Sequence, residues 1–223
     1  MIDKIVERIE NYTPIDEKDG FKFESIVKNR NLIAQNHIDN INELPKQEWE
    51  EEKEFTHWDD QGRISTYFLL YVDLIGAAVD QTMKSYFGDI KNVFGSVTTT
   101  KKGLSYTKKK CPDKPFHSDC LQIALYQKAL PNHIPFLTYA SDYDRKLFTP
   151  DNCEELQKDN LEKYYNELVL YQRCWEKKLE FANGDPKVLA LLCKPDFSEI
   201  RKNGFWWKGF PKDIIQRFRG YYE

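Results

Sequence analysis

Two short apolar runs occupy the middle of the chain, FLLYVDLIG at residues 68–76 and YFGDIKNV at residues 86–93, and each predicts a strand. Each run is interrupted by an acid, Asp73 in the first and Asp89 in the second. A carboxylate in such a run is costly to bury, because its lost hydration must be offset by a cation or by several hydrogen bonds. Gly76, an irregular segment containing Asp80, and Gly88 lie between the runs, so they can fold back as neighbours and bring both acids to one point. Lys91 follows Asp89 by two positions. Residues i and i+2 of a strand share a face, so Asp89 and Lys91 project together while Ile90 packs on the opposite face.

The helical period predicts the flanking elements. Ile2, Ile5, Val6 and Ile9 mark a short amphipathic helix over residues 1–12, and TPIDEKDG reads as a turn-rich connection. A second helix is predicted from Phe23 to Leu44, stopped by Pro45. In SDCLQIALYQKAL, Ser118 is a candidate cap for a helix with Leu121, Ala124 and Leu125 on its apolar side. Gln122 and Tyr126 are four apart and share a face. IPFLTYAS, residues 134–141, is a further strand candidate. WDDQGRISTYFLLYVDLIG reads as a hairpin turning at Asp60-Gln61-Gly62, with the strand from Ile64 leading into Asp73 and with Asp59 and Asp60 as turn residues. The acidic run EWEEEKEF at 48–55 reads as solvated surface.

Toward the C-terminus, Thr149 and Pro150 are a candidate N-cap and first turn of a long helix reaching Ala182 and ended by Asn183-Gly184. Leu161, Tyr164, Leu168, Tyr171, Trp175, Leu179 and Ala182 recur at spacings of three and four, which predicts a core stripe. Residues 185–223 are irregular and rich in aromatic and basic residues. Capping of the core by Trp206, Trp207, Phe210 and Tyr221 is preferred to a base-stacking platform with Lys208, Lys212, Arg217 and Arg219 following a nucleic-acid backbone. The element order predicts an α/β fold, a central mixed β-sheet flanked by α-helices. It is read as one domain over residues 1–223: a helical part with the start of the hairpin to residue 60, a core at 61–150, and a long helix with a cap at 151–223.

Composition narrows the class. With 40% hydrophobic and 31% charged residues the chain has the make-up of a soluble globular protein. No apolar run approaches the roughly 20 residues of a membrane helix, and residues 1–12 lack a signal-peptide core, so a cytoplasmic protein without a membrane partner is expected. Five cysteines, an odd number without C-x-x-C spacing, point to reduced thiols. The net charge of −3 conceals an uneven distribution. Residues 1–60 hold sixteen acidic and eight basic residues, whereas residues 91–118 hold seven lysines and one acid, Asp113. Lys101, Lys102, Lys108, Lys109 and Lys110 are candidate phosphate contacts, with a solvated loop as the plainer reading of any one of them.

The two acids and the lysine suit one chemistry. Carboxylates hold Mg²⁺ or Mn²⁺, the cation polarises a phosphodiester and acidifies a bound water, and a lysine supports the attacking group or the transition-state charge. A structural ion pair on an edge strand is the plainer reading of D-x-K alone. The order of acid strand, D-x-K strand, basic loop, helix with Q-x-x-x-Y and strand resembles the PD-(D/E)XK nuclease superfamily over roughly residues 24–150. The likeness is to its RecB-like branch, which includes bacteriophage exonucleases and the mitochondrial genome-maintenance exonuclease.

The resemblance implies a restriction-endonuclease-like core with Asp73, Asp89 and the Ile90 carbonyl as metal ligands and Lys91 as the catalytic lysine. Gln122 and Tyr126 would stand beside the metal and the DNA. His37 fits the histidine of the branch's upstream G-x-x-x-H helix, although Ile33 stands where the glycine would be, with Glu24 ranked behind it and an exposed helix histidine as the alternative. Leu70-Tyr71-Val72 and Asn92 depart from the branch, which favours Gly before the first acid and Thr after the lysine. The implied function is a metal-dependent DNA exonuclease, with single-stranded ends as the first expectation for its substrate, in host cytoplasm if phage-encoded. An endonuclease or nickase on the same residues, and a non-catalytic nucleic-acid-binding protein on this scaffold, are the alternatives.

Overall fold

The computed structural model describes residues 16–80 and 83–193. Its helices are α1 (Glu17–Ile41), α2 (His117–Ala129), α3 (Lys158–Ala182) and α4 (Pro186–Leu192). The strands are β1 (Gln47–His57), β2 (Phe68–Ala78), β3 (Tyr86–Asn92), β4 (Ser96–Thr100), β5 (Gly103–Thr107), β6 (Ile134–Ala140) and β7 (Arg145–Phe148). Five of them form a mixed sheet in the order β1-β2-β3-β6-β7, in which β3 and β6 run parallel and the other neighbours antiparallel; β4 and β5 make a separate hairpin. The fold is therefore α/β, a central mixed sheet flanked by helices.

Both faces of the sheet are covered, which is why its central strands read as nearly continuous apolar runs. On one face Leu74 and Phe136 pack with Leu44, beside Ile41 of α1, Trp49, Ile90 and Leu147. On the other, Leu70, Val72, Phe87, Leu137 and Tyr139 meet Ile123 and Tyr126 of α2 and Leu161, Tyr165 and Val169 of α3. Val72 and Leu74 thus face opposite sides although two residues apart. The alternation of β2 is broken at Asp73. In β1 the residue Glu52, between the pairs Lys53↔Val72 and Glu51↔Leu74, has φ 48, so the neighbouring strand is irregular at the same point.

This irregularity opens a fork. β2 pairs with β3 only through Leu74–Gly76 and Tyr86–Gly88. Beyond those residues β2 continues along β1 and β3 along β6, so the strands part where Asp73 and Asp89 stand. Gly88 secures the closed end. A Cβ at Gly88 would lie 2.4 Å from the buried Phe136 ring. Gly88→Ala is therefore expected to destabilise the protein by about 3 kcal/mol through overpacking, read as a lowered midpoint in urea denaturation.

Several sequence expectations need correction. α1 starts at Glu17, six residues before Phe23, because Asp16 caps it by accepting from Asp19 N at 2.7 Å. TPIDEKDG thus contains a helix start. The acidic run 48–55 belongs to edge strand β1: its glutamate side chains are solvated, but its backbone pairs with β2. The hairpin arms are accordingly 47–57 and 68–78, and the Asp59–Gly62 turn lies in their connection, where Gly62 N donates to Asp59 O at 2.9 Å. Arg63 and Tyr165 bind the Asp59 carboxylate and hold its pKa well below the usual range.

α2 begins at His117 without a side-chain cap, and Ser118 Oγ reaches only Asp119. Thr149 and Pro150 start no helix. They form a turn closed by Asn152 after β7, and α3 begins at Lys158. The expected stripe on α3 holds only in part: Leu161 and Ala182 are buried and Tyr164 and Leu168 partly so, Tyr171, Trp175 and Leu179 are exposed, and the core face is completed by Tyr165 and Val169, which the stripe did not include. The expected helix at 1–12 and the aromatic cap around Trp206, Trp207, Phe210 and Tyr221 lie outside the described residues.

Candidate active site

The side chain of Asp73 takes over where the strand pairing ends. Its Oδ2 accepts from Ile90 N at 2.9 Å, a hydrogen bond that a β2 carbonyl would otherwise receive. The N–H and C=O of one strand residue leave the same edge, so the Ile90 carbonyl is directed into the fork as well. Ile90 packs its side chain among the α1-side residues, opposite Asp89 and Lys91, as the i, i+2 spacing requires.

Asp89 is 2% exposed. Its Oδ1 accepts from Gln122 Nε2 at 3.3 Å, and its Oδ2 forms an ion pair with Lys91 without a well-directed hydrogen bond. The Asp73 and Asp89 carboxyl groups lie within hydrogen-bonding reach of one another. Two ionised carboxylates at such range repel strongly, so a proton or a cation is needed between them. Burial first and the Asp73 charge second push Asp89 up to about 7, against the opposing pull of Lys91.

α2 closes the site from above the sheet. Lys91 Nζ donates to Gln122 Oε1 at 2.7 Å, Gln122 Nε2 donates to Tyr126 Oη at 2.5 Å, and Tyr126 Oη donates to the Tyr71 carbonyl at 2.5 Å. One turn of helix therefore ties the lysine to β2, two residues before Asp73. Burial pushes the Tyr126 hydroxyl up to about 12, so it remains a neutral donor. Sequence reasoning missed Asp119, one turn before Gln122 on the same helix face. Asp119 accepts from Tyr139 Oη and lies 3.8 Å from Lys91 Nζ, giving the lysine a second anionic neighbour.

His37 is buried, which overturns the exposed-histidine alternative. Its Nδ1 meets Thr138 Oγ1 at 2.9 Å and its Nε2 meets Asn92 Oδ1 at 3.1 Å. Burial lowers its pKa to about 4, with Asn92 and the Asp73 charge opposing the shift, so the imidazole is neutral at pH 7. Glu24 is exposed and thirteen residues earlier on α1, roughly 20 Å along the helix. The structure does not bring it to the fork.

The lysines are outside the fork. Lys101 and Lys102 occupy the β4–β5 turn, while Lys108, Lys109 and Lys110 lie in the loop after β5. All five are exposed. Lys108 Nζ stands 3.5 Å from the buried Asp142 Oδ2, so part of its charge is already matched. His117 pairs with Glu167 at 3.0 Å, and His133 is a partly buried ring in the turn after α2. All five cysteines are free thiols.

Among the described residues no group of three or more His, Cys, Asp or Glu side chains is arranged to hold a metal. The fork offers instead two adjacent carboxylates and one carbonyl. That set matches Mg²⁺ or Mn²⁺, which bind through one or two carboxylates and take their remaining oxygens from water and substrate phosphate. The crowding of Asp73 against buried Asp89 is the observation that makes a cation fit. No helix among the described residues is long and apolar enough to cross a membrane. No family model matches the chain, and comparison with curated proteins and with solved structures gave no significant match.

Proposed function

We propose that this protein is a metal-dependent nuclease of the PD-(D/E)XK type that hydrolyses DNA phosphodiesters, first of all as an exonuclease. The observation that carries the proposal is the fork: Asp73 and Asp89 meet within hydrogen-bonding reach, with Lys91 on the same strand as Asp89. Asp73, Asp89 and the Ile90 carbonyl would hold Mg²⁺ or Mn²⁺. When bound, the cation supplies charge compensation for the phosphate and a more acidic water.

The chain's own groups do the rest. Lys91 Nζ, held by Gln122 and paired with Asp89 and Asp119, would turn a donor from Asp89 to the attacking oxygen or to a phosphoryl oxygen once a cation takes up the Asp89 charge. Gln122 and Tyr126 fix that ammonium relative to β2 and exclude an alternative pairing for the buried amide. Asp89 must be ionised to bind a cation, so metal affinity should rise about tenfold per pH unit below 7 and level off above it.

The test is digestion of end-labelled linear single- and double-stranded DNA with Mg²⁺, with Mn²⁺ and with chelator. Metal-dependent loss of label is expected, with a product ladder that reports polarity. A covalently closed circle should remain intact. Cleavage of that circle would reassign the same residues to an endonuclease or nickase, and intact linear substrates under every condition would remove the nuclease reading.

A further inference from the structure

The turn between β6 and β7 holds both ends of the lysine loop at residues 108–111. At one end Lys108 Nζ stands 3.5 Å from Asp142 Oδ2 and 5.7 Å from the centroid of the Tyr143 ring. At the other, Cys111 N donates to Asp144 Oδ2 at 2.8 Å and Cys111 Sγ to Asp144 O at 3.3 Å, with the Cys111 side chain buried in the core. The turn is itself braced. Ser141 Oγ accepts from Asp144 N at 3.0 Å, Ser141 N donates to Asp144 O at 2.8 Å, and Asn36 Nδ2 of α1 donates to Ser141 O at 2.9 Å.

Asp142 is 1% exposed, and neither of its oxygens has a hydrogen-bond partner among the described residues. Lys108 is the cation paired with it. A buried carboxylate that loses its cation is strongly destabilised, so Lys108 stays on Asp142 and is withheld from a ligand. Lys109 and Lys110, between the two anchors, are exposed and have no ion-pair partner among the described residues. Asp113, the next acid in the chain, is taken by Lys146 at 2.5 Å.

Register places the loop. Asn92 pairs with Ala140 across the parallel strands β3 and β6, and Val93 N donates to Ala140 O at 2.8 Å, so the braced turn begins where β3 ends. β2 and β3 part toward that same end of the sheet. Lys101 and Lys102, in the turn of the β4–β5 hairpin that leads into the loop, extend the series of exposed ammonium groups. Lysines presented as point charges suit a phosphodiester backbone, which they position without reading its sequence.

We infer that the 108–111 loop is a sequence-neutral binding element for the nucleic-acid backbone, in which Lys109 and Lys110 contact phosphates and Lys108 is the anchor that Asp142 holds. The inference rests on the nuclease reading and names part of the surface that carries its substrate outside the fork. It also separates lysines that composition alone groups together.

Fluorescence anisotropy with a labelled single-stranded oligonucleotide in chelator, repeated over a salt series, measures binding without cleavage. Replacing Lys109 and Lys110 together by alanine should change the slope of log affinity against log salt by about 1.4 toward zero, at about 0.7 per phosphate contact on a single strand, and equally for two unrelated sequences. Lys108→Met combined with Asp142→Asn removes the ion pair without orphaning the acid and should leave the slope unchanged. Lys108→Met alone should lower the midpoint of urea denaturation, and adding Asp142→Asn should restore it. An unchanged slope without Lys109 and Lys110 overturns the inference, as does a slope reduced by about 0.7 in the Lys108→Met, Asp142→Asn protein. With Mg²⁺, loss of Lys109 and Lys110 should raise KM by a factor that shrinks as salt is added, with kcat within about twofold of wild type. Wild type that neither cleaves nor binds DNA removes the nuclease reading itself, whereas active wild type whose KM and affinity are indifferent to Lys109 and Lys110 removes this inference alone.

Discussion

Asp89→Asn is expected to abolish metal-dependent cleavage and, at pH 8 without metal, to make the protein more stable than wild type. The reason is the carboxyl's position. Asp89 titrates near 7 in the folded protein against an ordinary value of 3.8, chiefly because it is buried and next to Asp73. A raised folded pKa adds stability that is complete below pH 3.8 and lost as pH rises through 7. Three pKa units correspond to about 4 kcal/mol. An uncharged isostere avoids that loss, so the gain in Asp89→Asn should be near zero at pH 4 and grow to a few kcal/mol by pH 8.

His37 works in the opposite direction over the same range. Its pKa is lowered from 6.5 to about 4, so its contribution is present above pH 6.5 and is lost as pH falls through 4. In wild type the two groups offset one another; in Asp89→Asn the histidine acts alone, and stability should climb steadily from pH 4 to 6.5. Urea denaturation at pH 4, 6 and 8 checks this. A variant less stable than wild type at pH 8 would show that Lys91 and Gln122 depend on the Asp89 charge more than burial penalises it.

The second large effect is expected at Lys91. Lys91→Ala should lower the rate of cleavage at saturating Mg²⁺ about 10³-fold, the scale of removing a group that meets charge formed in the transition state. Half-saturating Mg²⁺ should be no higher than in wild type, because the substitution removes the cation that competes for Asp89. Single-turnover cleavage across a Mg²⁺ titration separates the two quantities. Loss of rate accompanied by a large rise in the metal requirement would make Lys91 a structural support of the carboxylates.

Much of the fork was legible in the sequence, because it depends on local periodicity. The spacing of Asp89 and Lys91 and that of Gln122 and Tyr126 fixed which side chains share a face, and the structure brings these four to Asp73. The interruption of each apolar run by an acid marked the place where the strands part. What escaped was set by long-range pairing. The run of glutamates at 48–55 has no apolar alternation, and it becomes β1 because the edge of β2 offers it a backbone partner. β7 is four residues long and exists through β6. On α3 the spacing of three and four runs on through Tyr171, Trp175 and Leu179, which are exposed, and passes beside the buried Tyr165 and Val169, because the neighbouring elements and not the helical period decide which face is covered. Asp119 gains its importance from Lys91, a neighbour that only the tertiary fold supplies.

The most direct test of the central claim is calorimetric titration of Mn²⁺ into wild type, Asp73→Asn and Asp89→Asn at pH 7.5, with circular dichroism to confirm that each variant is folded. A saturable site in wild type, lost or weakened at least tenfold in both variants, is the expected result. Equal binding in all three folded proteins, or no binding to wild type, would contradict a metal centre in the fork.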